Sequence, residues 1–178
     1  AEQILAEKGL DFVAMARPFL ADAALVAKAR RGAAVNHCIA CNQACIDRSL
    51  SDQVVSCMVN PRAGEESRWQ EVSLPQRRAF AVIGGGPAGL EAARVFAALG
   101  QHVVLYEAAD ALGGQFRLAS LIPGKEDYGG TIRYFEQELR RLGVELRLGY
   151  RIGADSQAEL ARYDGIVVAT GVVPRRVE

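Results

Sequence analysis

The chain has 178 residues, half of them hydrophobic and 24% charged, with 21 basic and 21 acidic side chains. That composition suits a globular fold with a buried core, one domain or parts of two. Zero net charge, with arginine pairs such as Arg30-Arg31 and Arg140-Arg141 scattered among acids, excludes a nucleic-acid or anionic-membrane surface.

No apolar run approaches the ~18 residues a membrane-spanning helix needs. Ala1-Glu2-Gln3 is acidic where a signal peptide is basic, so a cytoplasmic protein with reduced or metal-bound cysteines is expected. Residues 1–9 read as the tail of a helix, with Ile4 and Leu5 on its buried side and Gly9 as its stop. Residues 11–15 are a short apolar strand running into a turn at residues 16–19, which places Arg17 just past the strand. Residues 22–31 form a helix capped by Asp22 and stopped at Gly32. A strand between two helices makes no independent core, so residues 1–35 are expected to be the end of a larger α/β domain.

Residues 36–62 hold all four cysteines, and residues 62–78, charged and containing Pro75, act as a linker. From residue 79 strands alternate with helices. Strands are expected at residues 80–83, 102–106, 144–148 and 165–169, with helices at 90–99 and 131–142. The second helix carries Ile132, Phe135, Leu139 and Leu142 at helical spacing. Such alternation implies a parallel sheet covered on both faces, the doubly wound arrangement. The expected sheet is short of strands for that fold, and it stops just after Pro174, so this end too is expected to be cut.

Cys38, Cys41, Cys45 and Cys57 stand at C-x2-C-x3-C-x11-C spacing. Three thiolates in eight residues can wrap one face of a cubane and the fourth can close it, which predicts an iron–sulfur cluster. Structural zinc usually takes two C-x2-C pairs and is the rival ligand. Unliganded buried cysteines or disulfides are the third reading.

Gly84, Gly86 and Gly89 complete a G-x-G-x-x-G between a strand and a helix. The first makes the turn, the second admits a pyrophosphate and the third lets helix and strand pack closely. Glu107, 18 residues beyond Gly89 at the end of the next strand, is placed to accept hydrogen bonds from ribose hydroxyls. The alternative is a structural turn with a solvent-facing acid. A carboxylate there disfavours a 2′-phosphate, so FAD or NAD(H) suits the pocket better than NADP(H). Gly113-Gly114-Gln115-Phe116 and Ala169-Thr170-Gly171 could by themselves be ordinary turns.

With these residues assembled, the chain resembles the flavin/iron–sulfur oxidoreductases that contain bacterial 2,4-dienoyl-CoA reductase and trimethylamine dehydrogenase (NADH:flavin oxidoreductases, old yellow enzyme-like). The resemblance is carried by residues 15–22, 38–45 and 56–62, the glycine turn, residues 113–116 and 122–126, and Ala169-Thr170-Gly171. It implies three segments: residues 1–35 as the C-terminal end of a (β/α)8 FMN barrel, residues 36–78 as a 4Fe-4S segment and linker, and residues 79–178 as part of a Rossmann-like FAD domain. It further implies that Ala16 and Arg17 contact the FMN phosphate, in keeping with the placing of barrel sites past strand ends. Gly84, Gly86, Ala88, Gly89, Glu107, Gly114, Gln115 and Lys125 would line the FAD or ADP site, with Ile152 on the adenine side.

The implied activity is an electron relay from NAD(P)H through FAD and the cluster to FMN, which reduces an enoate or 2,4-dienoyl-CoA. Its catalytic residues and small-molecule substrate pocket would lie outside this chain. One feature departs from the dienoyl-CoA reductases, which commonly carry Ala-Cys-His-Glu after Asn-Pro-Arg. Ala63-Gly64-Glu65-Glu66 here is more like the amine dehydrogenases, which oxidise N-methyl amines and pass electrons to an electron-transferring flavoprotein. Gln115, Lys125 and the Cys-Asn-Gln block favour the reductases. A stand-alone electron-transfer module is the reading of a different class.

Overall fold

The computed structural model describes residues 1–69, 72 and 74–173. Gln70, Glu71 and Ser73 of the expected linker, and Pro174 with the four residues after it, lie outside the described residues. Two compact units are present, residues 1–69 and residues 70–178. No helix among the described residues is long and apolar enough to cross a membrane.

The first unit contains four short helices, α1 (Glu2–Lys8), α2 (Arg17–Ala21), α3 (Leu25–Arg30) and α4 (Ile46–Leu50). Gly9 closes α1 in the left-handed conformation (φ 61°), as expected. Ile4, expected on a buried side, is 44% exposed, because a one-sided apolar pattern is buried only where another element lies against it. The expected strand at residues 11–15 is irregular backbone, and Phe12 is 81% exposed. An apolar run becomes a strand only with a partner for its ladder, and the sheet of the described residues lies wholly in the other unit.

The expected turn at residues 16–19 is instead the start of α2, where Pro18 is tolerated because first-turn N–H groups have no helical partner. The helix expected from Asp22 begins at Leu25. Asp22 is buried and acts as a hub: its carboxylate accepts the Ala24 N–H (3.1 Å), the Asn36 N–H (2.9 Å) and the Lys28 ammonium (2.6 Å). Ala63, at the start of the expected linker, is buried within this unit.

In the second unit, strands β1 (Ala79–Ile83), β2 (His102–Tyr106), β3 (Glu145–Arg147) and β4 (Gly165–Val168) form one parallel sheet in the order β3-β2-β1-β4. The helices are α5 (Pro87–Ala98), α6 (Gln115–Ser120), α7 (Tyr128–Arg141) and α8 (Gln157–Leu160). Alternation along the register puts Phe80, Val82, Val103 and Leu105 on one face, toward α5, where Phe80 stacks on Phe96 at 4.3 Å. Ala81, Val104 and Tyr106 face the other way and are covered by Ile152, Leu160 and Tyr163. Burial on both faces explains why β1 and β2 read as continuous apolar runs.

Candidate functional site

The first unit gathers the cysteines. Two non-glycine residues in the cysteine loop are left-handed, Ala40 (φ 51°) and Asn42 (φ 62°). Such a conformation costs an L-residue about 1 kcal/mol and folds the loop back on itself. Cys45 caps α4, and the Ser56 N–H donates to the Ala44 carbonyl (2.8 Å), which lays the segment of Cys57 beside the loop. Further along, Asn36 Nδ2 donates to the Val59 carbonyl (2.6 Å) and Asn60 Nδ2 to the Leu20 carbonyl (2.8 Å). Side-chain amides, rather than a ladder, thus hold this segment in place.

The result is a pocket lined by all four cysteines, each half-buried with a free thiol, together with Arg17, Leu20, Asn42 and Met58. Among the described residues no three Cys, His, Asp or Glu side chains converge as a single-ion site requires. All four thiols line this one pocket, and four cysteine thiolates are the donor set taken by an iron–sulfur cluster and by structural zinc alike. Burial pushes the Cys57 thiol up from its ordinary pKa, and backbone N–H groups of Val59 and Asn60 directed at its sulfur partly offset this. The Ala40 N–H reaches Cys38 Sγ at 3.4 Å.

Arg17, expected at an FMN phosphate, lines this same pocket and donates from Nη1 to Asn42 Oδ1 at 2.6 Å. Ala16, also expected there, is the N-cap of α2. Sequence reasoning missed the Arg17–Asn42 pair, which is 25 residues apart and carries no local signal.

In the second unit the glycine turn joins β1 to α5. Gly84 has φ 111°, and a Cβ there would strike the Ala169 carbonyl; one on Gly89 would strike the Gly84 carbonyl. Gly86 caps α5, and a Cβ on it would point into open space. That space is the kind a phosphate could enter at a helix N-terminus, beside exposed Ala88. Glu107 Oε2 accepts the Gly85 N–H at 2.6 Å and Oε1 accepts the Ala109 N–H at 2.7 Å. Both oxygens keep a further lone pair for a hydroxyl donor.

Across the turn, the Gly113 N–H donates to the Gly85 carbonyl (2.7 Å), and the Cβ position of Gly114 lies 3.0 Å from Gly86 Cα. Gly114 and Glu107 line one open pocket with Arg117 and Leu118, which the sequence reading did not single out although Arg117 lies one helical turn past Gly114. Gly84, Gly86, Ala88, Gly89, Gln115, Lys125 and Ile152 are not among its lining residues. Gln115 and Lys125 are exposed, and Ile152 packs beneath Tyr106 on the sheet.

Tyr106, just before Glu107, is the centre of a polar clasp that sequence reasoning also missed. Its hydroxyl donates to Glu159 Oε1 (2.8 Å), lies 2.7 Å from the Tyr163 hydroxyl and accepts from Arg147 (3.2 Å). Glu159 also pairs with Arg147 and accepts from the Tyr150 hydroxyl (2.7 Å). Burial, then the bonds to Tyr163 and Glu159, push the Tyr106 phenol well above its ordinary pKa.

Residues 78–178 match the family model described as pyridine nucleotide-disulphide oxidoreductase. The chain is 40% identical over 178 residues to an NADH oxidase of Thermoanaerobacter brockii, covering 98% of this chain and 27% of that protein. It is 39% identical over 184 residues to an N,N-dimethylglycine/sarcosine dehydrogenase of Chromohalobacter salexigens, covering 98% of this chain and 26% of that one. A solved 2-naphthoyl-CoA reductase complexed with 2-naphthoyl-CoA matches with a TM-score of 0.94 at 35% identity, over 99% of this chain and 27% of that one. The chain spans about a quarter of the length of these relatives.

Proposed function

The chain belongs to the pyridine nucleotide-disulphide oxidoreductase family and to the flavin/iron–sulfur oxidoreductases, and from that premise we propose that it forms the electron-carrying part of an NAD(P)H-dependent reductase of enoates or 2,4-dienoyl-CoA esters. The observation that carries the proposal is the ring of four cysteines about one pocket, in a chain that also has a dinucleotide turn with its acid.

When bound, FAD would accept hydride from NAD(P)H, a 4Fe-4S cluster would pass single electrons, and FMN would deliver them to the alkene. Cys38, Cys41, Cys45 and Cys57 would hold the cluster, with the Val59 and Asn60 N–H groups drawing charge from the Cys57 sulfur. Glu107 would bind ribose hydroxyls while the Gly86 end of α5 receives a pyrophosphate. Gln115 and Lys125, exposed on α6 and the turn after it, would line the nucleotide site. Ala16 and Arg17 would reach FMN.

A second reading, an N-methyl amine dehydrogenase delivering electrons to an electron-transferring flavoprotein, has its own support. Gly64 has φ 80° and its Cβ position is blocked by the Val55 carbonyl, so the site admits only glycine where dienoyl-CoA reductases commonly carry cysteine. Similarity to the dimethylglycine/sarcosine dehydrogenase points the same way.

The test is anaerobic purification with iron, sulfide and zinc assays, then addition of NADH, NADPH or N,N-dimethylglycine while flavin absorbance is followed. About four iron atoms per chain and bleaching by a nicotinamide are expected. Stoichiometric zinc without iron would overturn the cluster, and bleaching by the amine alone would replace the first reading with the second.

A further inference from the structure

We propose that Arg17 tunes the reduction potential of the group held in the cysteine pocket, a role that rests on the cluster reading above. Its guanidinium lines the same pocket as Cys38, Cys41, Cys45 and Cys57. No carboxylate is among the described residues lining that pocket, so the guanidinium is its one fixed positive charge with no opposing acid on the wall.

The charge is held from two sides. The side chain donates to Asn42 Oδ1 at 2.6 Å, and Asn42 lies inside the loop between Cys41 and Cys45. Asn42 is left-handed there, a conformation asparagine tolerates better than most residues, so the loop itself aims the amide. The backbone end is fixed by α2, whose Leu20 carbonyl accepts from Asn60 Nδ2 (2.8 Å), three residues past Cys57. One arginine is therefore tied to both halves of the cysteine set.

Reduction adds one negative charge to such a site. A half-buried cation on its wall favours the reduced form, through a dielectric well below that of water. The step is a one-electron transfer from a reduced flavin, with no bond made or broken. The Ala40, Val59 and Asn60 N–H groups directed at the sulfurs act in the same direction. Arg17 is thus a positioning residue for charge, separate from any contact it makes with FMN.

The decisive measurement is a potentiometric titration of the anaerobically purified holoprotein, followed by electron paramagnetic resonance, with iron content recorded for every variant. Arg17→Gln is expected to move the reduced-to-oxidised ratio at fixed potential about tenfold toward oxidised, 59 mV for one electron. Arg17→Lys should keep most of the wild-type potential. Asn42→Gly keeps the left-handed turn and frees the guanidinium, so it should fall between. An Arg17→Gln potential equal to wild type overturns the proposal, as does Arg17→Lys falling as far as Arg17→Gln. Asn42→Gly at the wild-type potential overturns the aiming role of Asn42. If Arg17→Gln loads no iron, the Lys and Gly variants decide by the same criteria. Wild-type protein without iron is a separate outcome, and it sinks the cluster reading itself.

Discussion

Residues 70–178 bury fourteen apolar side chains among the described residues, including Val82, Leu90, Leu105 and Leu139, all less than 2% exposed. Residues 1–69 bury five, and three of these are the alanines Ala21, Ala44 and Ala63. The sheet unit is therefore ordered mainly by removing large apolar surfaces from water. The cysteine unit is ordered by Asp22, Asn36 and Asn60, each bridging distant backbone. Where a core is this thin, metal-binding free energy becomes folding free energy. The two units should thus answer differently to the same insult.

The largest effect is expected from stripping the proposed cluster by chelation, or from Cys45→Ala. Amide exchange across residues 36–60 should become fast while β1 and β2 amides keep their protection. Equal loss of protection in both units would break the comparison. Next is Leu105→Ala, in β2 with no exposed surface. A cost of 2–5 kcal/mol, about the range for such cavities, is expected in denaturant unfolding of the sheet unit. Exchange in the cysteine unit should not change. The smallest effect is that of Tyr106→Phe. It removes one hydroxyl while Glu159 keeps Arg147 and Tyr150, so a loss of about 1 kcal/mol is expected at neutral pH. Because the Tyr106 pKa is raised in the folded state, its contribution is complete below the ordinary tyrosine value of about 10 and is lost as pH climbs above it. The variant should flatten the alkaline limb of the stability profile. An unchanged alkaline limb would assign that limb to other tyrosines.

The same contrast governs what could be foreseen from sequence. In the sheet unit local pattern and tertiary environment agree, and β2 falls on the expected residues 102–106. The first helix there starts at Pro87, earlier than the apolar pattern suggested, because its first turn serves the glycine turn and not the core. In the cysteine unit the grouping of the four cysteines was legible but the surrounding structure was not. Residues 11–15 had the composition of a strand and lacked a partner, and Pro18 looked like a turn while fitting the first turn of a helix. The Arg17–Asn42 contact and the Tyr106–Glu159 clasp join residues 25 and 53 apart, and no local periodicity encodes such pairs.

Glu107 has a consequence for kinetics. Its two oxygens are already anchored on the Gly85 and Ala109 N–H groups, so, on the proposal that this turn binds a nucleotide, the carboxylate need not be recruited when one arrives. The ordering cost of that side chain is met during folding and not during the encounter. Association can then run at the ordinary rate for docking to a rigid patch. Discrimination among adenine nucleotides at this turn is accordingly expected in residence times, with arrival rates nearly alike.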